Sequence, residues 1–124
     1  MPKKILVVDD EKIILKVIES RLKSAGYVVV TANDGEEGLA KAKAEQPDLV
    51  ILDIMMPKMD GTQMREAMRA NERTRKIPVI FLTAILNKKE AELTGHKIGE
   101  DLILAKPFDG QELLATIKSI VEER

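Results

Sequence analysis

Short apolar runs recur along the chain: Ile5 to Val8, Val28 to Val30, Leu49 to Leu52 and Val79 to Leu82, with a weaker pair at Ile103 and Leu104. Each is brief and mostly β-branched, which predicts strands buried in a sheet. Between them lie stretches with helical spacing, such as Ile14, Ile18 and Leu22 ahead of Gly26. Another is Leu113, Leu114, Ile117, Ile120 and Val121 near the end. Strand and helix thus alternate five times, the pattern of a parallel sheet with right-handed crossovers and helices on both faces.

The fold expected is a doubly wound α/β sandwich with a five-stranded parallel sheet in the flavodoxin-like order 2-1-3-4-5. Ligands in such a sheet bind beyond the carboxyl ends of the strands, beside the switch point between strands one and three. No repeat, low-complexity tract or flexible linker interrupts the pattern, so residues 1–124 are expected to form one domain standing alone.

Composition narrows the chemistry. The 124 residues contain no Cys, which excludes disulfides and thiolate metal sites and makes a cytoplasmic location the default. No apolar stretch approaches membrane-spanning length. Lys and Arg number 20 against 21 Asp and Glu, and the aromatics are two Phe and one Tyr. Neither the charge nor the stacking surface favours direct nucleic-acid binding.

The predicted strand ends carry the candidate site. Strand one runs into Asp9, Asp10 and Glu11, and strand three ends in Asp53. Clustered carboxylates repel, and an all-oxygen set with few protein ligands suits Mg²⁺, which keeps several waters. Used singly, Asp10 would cap the first helix and Asp53 would satisfy loop amides. Strands four and five bring Thr83 and Lys106 to the same edge. A carboxylate nucleophile, a metal, a hydroxyl and an ammonium are what in-line phosphoryl transfer requires.

The order Asp9-Asp10, then Asp53-Ile-Met-Met-Pro-Lys-Met-Asp60-Gly61, then Thr83-Ala84, then Lys106-Pro107-Phe108 closely resembles the receiver domains of two-component response regulators. The resemblance covers the whole chain, including the separations between these elements. It implies Asp53 as phosphoacceptor, with Mg²⁺ held by Asp10 directly, by Asp9 through water, by Asp53 and by the Met55 backbone carbonyl. Thr83 and Lys106 would contact the phosphoryl oxygens. It also implies a usually cis Lys106-Pro107 bond, which an X-Pro amide adopts at little cost. The resemblance further implies a protein that catalyses only its own phosphorylation and dephosphorylation, expected to be a monomer or weak dimer.

Three positions depart from the family pattern. Ile103 stands where a switching aromatic is common, so either a smaller rearrangement occurs there or Ile103 is strand core. Met55 and Ile85 replace side chains that influence water attack on the acyl phosphate. Neither orients a water, which predicts a long-lived phosphoryl group.

Helix one carries more apolar positions than one face accommodates: Ile14, Ile18 and Leu22 at core spacing, and also Ile13, Leu15 and Val17. The latter three are the expected contact for a sensor histidine kinase or histidine phosphotransfer protein. A downstream protein target would use the face of helix four, strand five and helix five. His96, Lys88-Lys89 and the charged stretch 71–76 read as solvated surface, and the internal methionines as core gap-fillers.

Three rivals are weaker. A haloacid-dehalogenase-like phosphatase looks for a second Asp at the position of Met55, and a flavin-phosphate site would be repelled by Asp9-Asp10-Glu11. A pseudo-receiver acting only as an interaction module is opposed by the intact set Asp10, Asp53, Thr83 and Lys106.

Overall fold

In the computed structural model the described residues are 2–84, 97–98, 101–106 and 109–122. The chain runs β1 (Lys4–Val8), α1 (Lys12–Ser24), β2 (Val28–Ala32), α2 (Gly35–Glu45), β3 (Leu49–Asp53), α3 (Gly61–Arg69) and β4 (Val79–Ala84). It then continues through β5 (Lys97–Ile98), β6 (Asp101–Lys106) and α4 (Gly110–Val121). The sheet order is β2-β1-β3-β4-β6-β5. Its five parallel strands reproduce the expected 2-1-3-4-5 order, with β6 as the predicted fifth strand.

One strand was not foreseen. Lys97–Ile98 pairs antiparallel with β6 at the sheet edge. Only two residues separate β5 from β6, too few for a parallel crossover, so a hairpin pairing is the one available.

Period-two alternation divides the core into two clusters. Ile5, Val7, Leu49, Ile51, Ile80 and Leu82 pack with Leu15, Ile18 and Leu22 of α1 and Leu113, Ile117 and Val121 of α4. Their sequence neighbours Leu6, Val8, Val50, Leu52, Val79 and Phe81 pack with Ala42 of α2 and Met64 and Met68 of α3. β3 is buried at every residue because it lies mid-sheet between these layers. β2, by contrast, is an edge strand, with Val28 exposed and Val29 to Thr31 half-buried, so its apolar run was a weaker sign of burial than it looked.

Helix α1 corrects the expected phase. Leu15, not Ile14, joins Ile18 and Leu22 in the core, while Ile14 packs half-buried at the margin. Positions 15, 18 and 22 form the i, i+3, i+7 stripe facing the sheet. Gly26 stops the helix at φ 95°, two residues past Ser24, with its N–H on the Lys23 carbonyl. In the charged stretch 71–76, Thr74 is fully buried and its hydroxyl donates to the Met68 carbonyl at 2.7 Å, so this stretch is not wholly solvated.

The β3–α3 loop, residues 54–60, is held at both ends. Ile54 N–H donates to the Leu82 carbonyl at 3.0 Å, and Gly61 N–H returns to the Ile54 carbonyl at 3.0 Å. A capping box joins Asp60 and Gln63 at the start of α3. The amide of Gln63 and the hydroxyl of Thr62 hold the Asp60 carboxyl below its ordinary range. The cap is therefore charged at neutral pH, and what it contributes to stability is lost only as pH falls through that lowered value. Between these anchors Lys58 sits at φ 67°, a left-handed conformation that costs a residue with a Cβ about 1 kcal/mol. Lys58→Gly is expected to raise the urea midpoint by a corresponding amount, and an unchanged or lowered midpoint would show that the loop carries no such strain.

Candidate phosphoacceptor and metal site

The parallel register aligns Val8 with Leu52, which sets Asp9 and Asp53 side by side where β1 and β3 end. Asp9 N–H donates to the carbonyl of Ala32, the last residue of β2, at 3.2 Å. Its Oδ1 accepts the Glu11 N–H at 2.9 Å, turning the chain from β1 into α1. Asp53 does the same at its own strand end, with Oδ1 accepting the Met55 N–H at 3.1 Å. Both residues are buried.

Asp53 thus satisfies a loop amide, but Asp10 does not cap the first helix. The N-cap of α1 is Glu11, which makes no side-chain cap hydrogen bond, and Asp10 is exposed beside the other two carboxylates. One carboxylate oxygen from each of Asp9, Asp10 and Asp53 lies within 4.8 Å of the others. Three negative groups this close, two of them buried, repel unless a cation joins them. Donors that are all hard oxygens, few in number and open to water through Asp10 fit Mg²⁺.

β4 adds the next element. Leu82 is the register partner of Asp53, so Thr83 stands one residue beyond it at the same edge, half-buried. The backbone of Lys106 pairs with Ala84 at the end of β6. The side chain of Lys106 and the Lys106-Pro107 bond lie outside the described residues, as do Ile85, Lys88-Lys89, His96 and the predicted fourth helix.

Residues 5–118 match the family described as Response regulator receiver domain. The chain belongs to that family. As a receiver it is a component of two-component signal transduction, where phosphoryl transfer to an aspartate is the general mechanism. The receiver is 41% identical over 121 residues to the alkaline phosphatase synthesis transcriptional regulatory protein PhoP of Bacillus subtilis (strain 168), covering 98% of this chain and 49% of that protein. It is 42% identical over 121 residues to the DNA-binding dual master transcriptional regulator RpaA of Synechocystis sp. (strain ATCC 27184 / PCC 6803 / Kazusa), with the same two coverages, 98% and 49%. The chain thus spans about half the length of the curated relatives it matches.

Among solved structures, chemotaxis protein CheY4 of Vibrio cholerae superposes with a TM-score of 0.83 at 34% identity, covering 97% of this chain and 99% of that one. The receiver domain of sensor histidine kinase PA1611 of Pseudomonas aeruginosa PAO1 gives a TM-score of 0.85 at 31% identity, covering 98% and 99%. That structure has a magnesium ion coordinated in its active-site cleft.

Two features of the receiver's site were not read from the sequence. Gly61, noted only as part of a motif, packs against the backbone that carries Asp53. A Cβ there would strike the Asp53 carbonyl oxygen and sit 2.9 Å from Ile54 Cα. Met55, grouped with the core methionines, is 72% exposed beside Asp53, whereas Met56, Met64 and Met68 are buried as expected. Ile103 is half-buried against the cluster containing its register partner Phe81. No described helix is long and apolar enough to cross a membrane.

Proposed function

We propose that this receiver accepts a phosphoryl group on Asp53, with Mg²⁺ held by Asp9, Asp10, Asp53 and the Met55 backbone carbonyl. The observation that carries the reading is the convergence of three carboxylates at one sheet edge, with Asp10 left unused by the fold. Bound there, Mg²⁺ supplies positive charge that offsets both the carboxylates and the incoming phosphoryl oxygens.

The chain's own groups do the positioning. The Met55 amide orients Asp53, and the Glu11 amide keeps Asp9 turned toward the edge. A carboxylate oxygen of Asp53 forms the new bond to phosphorus while the donor's bond breaks and its electron pair leaves with the donor. Thr83 donates a hydrogen bond to one phosphoryl oxygen, and Lys106 pairs with another. The protein acts on itself alone, as a cytoplasmic signalling switch. Apolar Met55 and Ile85 give an attacking water nothing to bind, so the phosphoryl group is long-lived.

Intact-mass spectrometry after incubation with acetyl phosphate tests this. A Mg²⁺-dependent adduct absent from Asp53→Ala is expected, and an adduct that survives the substitution, or none in the parent, sinks it.

The phosphodonor is a histidine kinase or phosphotransfer protein docking on α1. Ile13 is 79% and Val17 49% exposed on the helix that begins beside Asp10. Leu15, expected in this patch, is a core residue and drops out of it. Ile13→Ser with Val17→Ser is expected to slow transfer from the kinase about tenfold while leaving acetyl phosphate labelling intact. Equal loss with both donors would instead indicate a damaged site. The downstream target binds the side of β6 and α4, as expected together with the predicted fourth helix, which lies outside the described residues.

A further inference from the structure

We propose that Met55 is a site of reversible oxidation, and that its sulfoxide shortens the life of the phosphoryl group on Asp53. The proposal rests on the phosphoacceptor reading of Asp53 and adds a chemical input to the same site.

Access separates Met55 from the other internal methionines. Met64 and Met68 are fully buried, Met56 is 8% exposed, and Met59 is partly buried against the second core cluster. A Cβ on Gly35 would lie 2.9 Å from Met59 Cγ, so that side chain is also wedged at the start of α2. Met55 alone of the five is well exposed, beside a shallow recess lined by Ile54, Met56, Pro57 and Asp60. Thioether oxidation requires the sulfur to meet the oxidant directly, so a peroxide should select this residue.

The oxidant is hydrogen peroxide or another two-electron peroxide. The sulfur lone pair attacks one peroxide oxygen, the O–O bond breaks, and the transferred oxygen becomes the sulfoxide. The other oxygen leaves as water, or as the alcohol when the peroxide is organic, after taking up the proton. Sulfur loses two electrons and the peroxide gains them.

Position turns this into a change at the phosphoacceptor. The Met55 N–H already donates to Asp53 Oδ1 at 3.1 Å, so the side chain is rooted two residues from the acyl phosphate. The native thioether is at most a weak acceptor and does not hold a water. A sulfoxide oxygen is a strong acceptor on the same flexible stem, able to hold a water beside the phosphorus. Oxidation therefore replaces an apolar wall with a group that orders the nucleophile.

The test uses the full chain, with and without hydrogen peroxide, loaded from acetyl phosphate in Mg²⁺. Peptide mapping should find one added oxygen on Met55 before Met56 or Met59, and phosphoryl decay should accelerate on the order of tenfold. Methionine sulfoxide reductase should restore the slow decay. In Met55→Leu the decay, whatever its starting rate, should not respond to peroxide. First oxidation at another internal methionine, or Met55 oxidation with unchanged decay, overturns the proposal. The untreated protein separates the two readings: if it forms no Mg²⁺-dependent adduct, the phosphoacceptor function fails and this proposal with it. A normal adduct that ignores oxidation overturns the oxidation switch alone.

Discussion

Asp10→Asn is expected to lose nearly all Mg²⁺-dependent labelling by acetyl phosphate while making the metal-free protein more stable. The two effects have opposite sign because Asp10 is not used by the fold: α1 is capped at Glu11, and Asp10 stands exposed beside two buried carboxylates. Removing its charge relieves repulsion within the cluster. Discounted for solvent screening, the gain is about 1 kcal/mol, or about 4 °C in thermal midpoint.

Adding Mg²⁺ should reverse the order. A site filled at a hundredfold excess over its dissociation constant stabilises the parent by about 2.7 kcal/mol, and the variant should show little of this. Thermal melts with and without Mg²⁺, run beside the labelling assay, give both readings. A variant less stable than the parent in chelator would show that Asp10 serves the fold, and unimpaired labelling would remove it from the metal site.

The second large effect is expected at Gly61. Gly61→Ala should cost on the order of 3 kcal/mol and sharply reduce labelling, although residue 61 carries no reactive group. The added Cβ would strike the Asp53 carbonyl oxygen and crowd Ile54 Cα, and backbone cannot rotate away as a flexible side chain would. Relief requires α3 to retreat, breaking the Gly61 N–H bond to the Ile54 carbonyl, or β3 to shift its last residue. Either moves the phosphoacceptor.

Gly26→Ala is the comparison that isolates this cause. Gly26 has nothing within 4 Å of an added Cβ, but its φ of 95° penalises one. It should cost about 1 kcal/mol and leave labelling unchanged. If Gly61→Ala behaved the same way in urea melts and labelling, close packing at residue 61 would not be what places Asp53.

Much of the site was legible because a strand end is a local feature. A buried apolar run that stops at a carboxylate points that carboxylate to the ligand-binding edge of any doubly wound sheet. Asp9, Asp53 and Thr83 could be placed on that edge from their neighbours alone, and the register confirms the level at which β1 and β3 end. Helix α1 shows where such reasoning stops. Three consecutive apolar residues, Ile13, Ile14 and Leu15, occupy most of the helix circumference, so spacing leaves the core-facing residue ambiguous by one step. Packing of α1 against the sheet and α4 selected Leu15 and left Ile13 outside.

What the sequence by itself determined is the alternation of strand and helix and which polar groups close each strand. These follow from periodicity and from the turn and cap preferences of single residues, which act over a few positions. Only the tertiary structure decided that Asp10 is spared from capping and that Met55 leaves the core while Met56 enters it. It alone decided that Gly61 must lack a side chain and that Lys97–Ile98 completes the edge. Each of these depends on which atoms of distant segments come within contact of one another, and close packing sets that distance with a tolerance smaller than a methyl group.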